Sequence, residues 1–304
     1  MTGYAPYGAL VAPARDTAEL PRLLLGFALI EAFYAGALAI IDGVLDYLPA
    51  TAADAYYGGT TPLGLLLQLL SFGFLAGAVL LVLRFGHDRG LGSLLGSGPA
   101  FARDLRRAFV GVMALMVALE ALPPGWDVGL VERLRPTEIW LALLVPGLLV
   151  LLVQTGAEEL LYRGYLQSQI AARFPHPAVW LILPNVAFGV VHWNNGGDTV
   201  QSLQYVTWAF LFGLAASDLT ARTGTLGAAI GFHLANNAFA FLLFAEVDGQ
   251  DSGLALVLFK GGALSGDIPP DLPVDPAPFV TTPFAIELAG VALIWMAARV
   301  AIRR

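Results

Sequence analysis

The sequence predicts an all-α protein, a polytopic transmembrane bundle of about eight helices with both termini in the cytoplasm. Three observations carry that expectation. Hydrophobic residues make up 57% of the 304 and charged residues only 13%, about half the charged share of a typical soluble domain. The mean hydropathy is +0.72, and the apolar residues come in runs long enough to cross about 30 Å of hydrocarbon as helices. Finally, the basic residues between the runs alternate in density from one connection to the next.

In chain order the runs fall near 22–45, 61–85, 105–122, 138–157, 178–193, 200–219, 225–245 and 283–302. They are long and show little period-two alternation, so helices fit them and strands do not. The third and fifth are short, and the fifth could form one arm of a helix hairpin. The first 20 residues lack a basic region followed by a short apolar core, so the first run should act as an uncleaved signal-anchor. Turn-rich stretches separate the runs, among them Gly90–Gly98 and the Pro/Asp-rich segment Asp248–Pro278. With no internal repeat and no compositional break, residues 1–304 read as one integral membrane domain, with the chemistry concentrated in 138–245.

With the N-terminus inside, the cytoplasmic segments hold thirteen arginines: Arg15, Arg22, Arg84, Arg89, Arg103, Arg106, Arg107, Arg163, Arg173, Arg222, Arg299, Arg303 and Arg304. The other side holds Arg133, Arg135 and Lys260. Such a bias is the positive-inside pattern. One lysine against fifteen arginines, with many Ala, Gly and Leu, suggests a GC-rich bacterial source and hence the inner membrane. A net charge of −7 without a basic stripe argues against a nucleic-acid partner. The absence of cysteine excludes disulfides, CxxC redox pairs and thiolate metal sites.

Ionisable groups within a bilayer are costly unless paired or hydrated, so each is a candidate for function. The densest set is Glu158-Glu159-Leu-Leu-Tyr-Arg163. Adjacent helical residues point about 100° apart, so the two carboxylates should not both face one partner. Glu159 and Arg163, at i,i+4, can pair on one face, which leaves Glu158 as the reactive carboxylate. Phe188-Gly-Val-Val-His192 follows. If the chain turns near Pro175, Glu158 and His192 each lie 17 residues from the turn, and an antiparallel hairpin brings them to the same depth. Phe188 should pack and shape the His192 rotamer. His233 and Asn237, also i,i+4, share one face of the seventh run. Glu158 with His192 could hold and deprotonate a water, and His233 with Asn237 could donate to a developing oxyanion.

These three motifs, Glu158-Glu159-x-x-x-Arg163, Phe188-x-x-x-His192 and His233-x-x-x-Asn237, in this order within apolar segments, resemble those of the CPBP family. That family comprises the CAAX-protease and bacteriocin-processing (Abi) intramembrane proteases related to the Rce1-type prenyl-protein endopeptidase. The resemblance covers roughly 138–245. It implies an intramembrane endopeptidase in which Glu158 and His192 activate water, His233 and Asn237 form the oxyanion hole, and Glu159 and Arg163 support them. It also implies a membrane-associated protein or peptide as substrate and a polar cavity opening to the cytoplasm. Glu158, His192 and His233 could instead hold zinc as a His₂Glu site. Of the two, the metal-free mechanism is preferred.

Glu31 and Glu120 read as helix-end or interhelical groups, and His87 and His176 as loop residues. Two rival functions use the same buried residues. A proton-coupled transporter would relay protons through them, although such proteins often show inverted repeats that are absent here. A non-catalytic scaffold would bind other membrane proteins of a complex through its helix faces or its acidic loop.

Overall fold

A computed structural model describes residues 2–122, 128–263 and 278–303. The chain is mostly helical. Turns of 3₁₀ helix over Thr2–Tyr7 and Ala12–Thr17 lead into α1 (Leu20–Leu45). Next come α2 (Ala50–Gly58) and α3 (Pro62–Leu70), which runs through Ser71 into α4 (Phe72–His87). After α5 (Gly98–Glu120), α6 (Thr137–Glu159) continues without a break through a π-helical segment, Leu160–Leu166, into α7 (Gln167–Arg173). The last helices are α8 (Pro177–Val190), α9 (Thr199–Thr223), α10 (Gly227–Leu242) and α11 (Thr282–Ile302).

Starts and stops follow local chemistry. Thr61, Asp198 and Thr281 each accept a backbone N–H of the first turn of α3, α9 and α11. Gly224 ends α9 in the left-handed conformation, φ 67°. Among the described residues, four helical stretches are long and apolar enough to cross a membrane: Leu20–Leu45, Pro62–His87, Thr137–Arg173 and Thr282–Ile302. Multiple spans of this kind suit a multi-pass integral membrane protein. Helix α8 is apolar but has only 14 residues, about 21 Å of rise.

All eight sequence runs are helical, each close to its expected place. The all-helical expectation needs one correction. A three-stranded sheet, β1 (Val131–Leu134), β2 (Phe244–Glu246) and β3 (Val257–Phe259), has β3 in the centre, antiparallel to β1 and parallel to β2. Its strands are three or four residues long, too short for a period to register in the sequence, and they pair only because the helices bring two distant connections together. Residues 264–277 of the Pro/Asp-rich segment, with Asp267, Asp271 and Asp275, lie outside the described residues, as does Arg304.

Helix α10 sits centrally, against α5, α6, α9 and α11. Every residue from Gly227 to Ala235 is buried. Large apolar side chains are instead exposed along α1, α3, α4, α6, α8 and α11, the distribution of a bundle whose outer helices meet an apolar solvent. Helices α10 and α5 run parallel and nearly in backbone contact. A Cβ at Gly231 would lie 2.2 Å from the Leu105 carbonyl oxygen, so only glycine permits the approach. Gly231→Ala is therefore expected to cost about 1–3 kcal/mol through forced separation of the helices. Thermal unfolding in detergent checks this against Gly290→Ala, where the added carbon meets nothing within 4 Å.

Candidate functional site

The site is built around one imidazole. His233, on buried α10, receives both carboxylates of α6: Glu159 Oε1 lies 2.9 Å from Nδ1 and Glu158 Oε2 lies 3.6 Å from Nε2. Adjacent helical carboxylates therefore do meet one partner, contrary to the expectation from their angular separation. The reason is that the ring presents a nitrogen on each of two edges and so spans the angle between them.

Glu159 also pairs with Arg163 at 3.0 Å, as its i,i+4 spacing predicts, and neither side chain reaches solvent. The pairing survives although Leu160–Leu166 is π-helical. Such insertions recur at functional sites, where they re-aim side chains within a helix. The remaining face of the guanidinium is occupied too. Nη2 donates to Asn185 Oδ1 at 3.2 Å, and the Phe188 ring centroid lies 4.3 Å from the guanidinium carbon. Asn185 is held in turn by donating to Leu181 O and Ser217 Oγ. Gly213 on α9 makes room for this cluster, since a Cβ there would stand 2.4 Å from Asn185 Oδ1 and 2.7 Å from Arg163 Nη2.

His192 lies two residues past the end of α8. Its Nδ1–H donates to the Phe188 carbonyl at 2.7 Å, and a carbonyl can only accept, so this bond leaves Nε2 as the ring's acceptor. Phe188 packs edge-on against His192, Tyr162 and His233 at once, with ring centroids 4.7, 5.0 and 6.2 Å away. It packs as expected and bears on both imidazoles. The turn anticipated near Pro175 falls between Arg173 and Pro177. Glu158 and His192 line the same cavity, about 530 Å³ in volume, with no direct hydrogen bond between them.

Asn237 reaches that cavity one turn beyond His233, donating from Nδ2 to Gln154 Oε1 at 2.8 Å and accepting from Asn236 at 3.1 Å. The lining also includes Gln154, Gln68, Asn195 and Gln250, which the sequence reading did not single out, and Glu31, which it read as a helix-end or interhelical group. Gln154 stands one helical turn before Glu158, a spacing that could have marked it. Glu31 enters from α1, and nothing in the sequence links that run to the motifs. His87 is another correction. It is buried rather than in a loop, between Thr17 Oγ1 at 3.0 Å, Tyr165 OH at 2.9 Å and the Gln169 amide. His176 is the exposed cap of α8, as expected of a loop histidine.

A metal finds a partial fit. His192 and His233 each engage Nδ1 with an acceptor, the usual outer-shell arrangement for metal-ligating histidines. Yet among the described residues no three His, Asp or Glu side chains gather closely enough to hold an ion. The Phe188 ring packs against both imidazoles. The three candidate ligands do not form a metal centre in this arrangement.

At the cavity rim, burial raises the Asp251 carboxyl from its ordinary 3.8 to about 6. A raised carboxylate pKa favours the folded state most below the unfolded value and loses that advantage as pH rises through the folded one. Asp251→Asn should match the wild type in thermal stability below about pH 4 and exceed it above about pH 7, measured by unfolding in detergent across that range. The buried pair supplies a second test. Arg163→Met strands the Glu159 carboxylate and is expected to cost about 3–5 kcal/mol, most of it recovered when Glu159→Gln is added.

The motif residues fall within a stretch that matches a known family. Residues 139–239 match the family model of type II CAAX prenyl endopeptidase Rce1-like proteins, an interval that holds all seven residues of the three motifs. An uncharacterized protein of Bacillus subtilis (strain 168), YyaK, is 26% identical over 161 residues, 50% of this chain. The chain spans about half of that relative's length, 51%. No solved structure matches.

Proposed function

From the Rce1-like family domain that residues 139–239 form, we propose that this chain is an intramembrane endopeptidase that cleaves a membrane-associated protein or peptide by attack of water. The chain would cross a bacterial inner membrane eight times, with both termini cytoplasmic. The observation that carries the reading is the convergence of Glu158, His192, His233 and Asn237 on one cavity, with every supporting group already held by a partner.

Each residue then has a role set by its contacts. Glu158 Oε2 has no hydrogen-bond donor within the protein and is the base that takes a proton from water. His192, with Nδ1 committed to Phe188, accepts a hydrogen bond from the same water through Nε2 and aims it. The scissile carbonyl oxygen gains charge as the C–O bond forms. Asn237 donates to that oxygen from its amide, and His233 donates from Nε2. Because Nδ1 of His233 donates to Glu159, it can donate from Nε2 only while carrying both ring protons. The carboxylates on its two edges then face that charge directly. Collapse of the intermediate breaks the C–N bond, and the proton held by Glu158 passes to the leaving amine.

Glu159 and Arg163 touch no substrate in this scheme; they hold His233 in place, as preorganised sites require.

Quantitative comparison of protein N- and C-terminal peptides from membranes of cells carrying the wild type or Glu158→Ala tests the reading. New termini that appear only with the wild type are expected, and they name the substrate. An unchanged set of termini would sink the endopeptidase reading, leaving the scaffold and transporter alternatives. A membrane complex assembled equally well by Glu158→Ala would favour the scaffold.

A further inference from the structure

The two ends of the bundle are built differently. One end gathers the N-terminal turns, the connection between α4 and α5, the turn between α7 and α8, and the start of α10. Tyr4 donates to Asp218 at 2.7 Å, Leu226 N donates to Leu95 O at 3.2 Å, and Trp295 donates to Asp218 at 3.1 Å. This end is closed. Gln167, Ser168 and Gln169 are fully buried beneath it. Tyr7 packs against Trp180 with centroids 5.0 Å apart, and Arg89 reaches Ser168. No residue of the 2–17 segment lines the cavity.

The opposite end gathers α2, the small sheet and the connections after α8 and α10. Arg135 donates to Ala255 O at 2.9 Å, Gln250 to Tyr57 O at 3.3 Å, and Asp251 N to Gly58 O at 2.8 Å. This end carries the outer lining of the cavity. Gln68, Asn195, Gln250 and Asp251 line the same space as Glu158 and His233, and both Asn195 and Gln250 are exposed.

The charges divide along the same line. Among the described residues, the basic side chains at the end carrying the cavity rim are Arg133, Arg135 and Lys260, and the other surface arginines lie at the closed end. Arg163, counted with the cytoplasmic set in the sequence, belongs to neither, because it is buried in the site. Removing it leaves the bias in place. The positive-inside tally and the expected cytoplasmic opening therefore exclude each other: the cavity opens where arginine is scarce.

We propose that the cavity opens to the extracytoplasmic side of the membrane and takes an apolar polypeptide segment presented from there, in an exported or membrane-inserted protein. The positive-inside rule fixes the arginine-rich end in the cytoplasm, and the bundle is sealed at that end. The inner lining supplies aromatic surface for an apolar segment from Phe72, Phe188, Trp208, Phe212 and Phe241. Glu31 and Asp251 make the polar part of the wall acidic, which suits a basic residue flanking the segment. A prenylated tail made in the cytoplasm would meet the closed end. The inference rests on the endopeptidase reading for the nature of its substrate, but its geometry stands without it.

The chain has no cysteine, so single-cysteine variants report position without background. Asn195→Cys and Gln250→Cys mark the cavity rim, and Ser97→Cys marks an exposed position at the closed end. A membrane-impermeant maleimide applied to intact spheroplasts is expected to label Asn195→Cys and Gln250→Cys, and to reach Ser97→Cys only after permeabilisation. The reverse pattern, or equal labelling of all three in intact spheroplasts, would overturn the orientation. Labelling each purified variant in detergent confirms that its thiol is accessible, and having two rim positions guards against loss of one to misfolding. Because this readout needs no proteolysis, failure of the orientation and failure of the endopeptidase reading are separate results.

Discussion

A guanidinium with no path to solvent has to find its partners within the protein, and Arg163 is in that position, with both terminal amino groups engaged and Nε left without a hydrogen-bond partner. Its charge is met by Glu159, one of its amino groups by Asn185, and its face by Phe188. These partners come from α6 and α8, and room for them comes from a glycine of α9. The pair is a poor source of net stability, because desolvating two ions can cost as much as their attraction returns. What it provides is location. Once Arg163 is fixed, Glu159 is fixed, and Glu159 fixes the imidazole of His233 through Nδ1. Phe188 then ties the same cluster to His192 through its backbone carbonyl and its ring. The two imidazoles are thus positioned from a charge that neither of them carries.

That dependence explains which parts of the site could be read from sequence. Glu159 with Arg163, and His233 with Asn237, are pairs within one helix, and helical spacing alone places their members on one face. Glu158 and His192 were related by counting from a turn, and Arg173 and Pro177 bracket that turn. Contacts between helices left no such trace. Asn185 is one polar residue in an apolar helix, Gln154 one among several, and Glu31 lies more than a hundred residues before the motifs. Nor does spacing tell that an imidazole can accept two neighbouring carboxylates on its two edges.

The fold shows the same division. Apolar runs foretold every large helix, since length and hydropathy are properties of a segment by itself. The sheet did not appear, because β1 and β3 are separated by more than 120 residues and each is only a few residues long. Neither did the depth of the cavity. The tally of arginines compares the two ends; it could not tell which end was sealed, because sealing comes from the packing of Tyr7 on Trp180 and of Arg89 on Ser168.

The contrast between four helices apolar enough to cross a membrane and eight helical runs has a physical cause in the same architecture. Hydropathy registers contact with lipid, and the helices that pass its test are those with broad exposed apolar faces, such as α1 and α11. Helix α10 has no large exposed apolar residue; its neighbours are other helices. A helix so enclosed can be short, can carry glycines where another backbone passes, and can place His233 and Asn237 midway along its length, because protein rather than hydrocarbon solvates them. Helix α8 is short for a related reason: it ends where the chain must turn His192 back toward the cavity. The two helices that look least like membrane spans, α8 and α10, thus meet the long apolar α6 at the candidate site, and the exposed apolar faces of the outer helices make a low-dielectric wall around it.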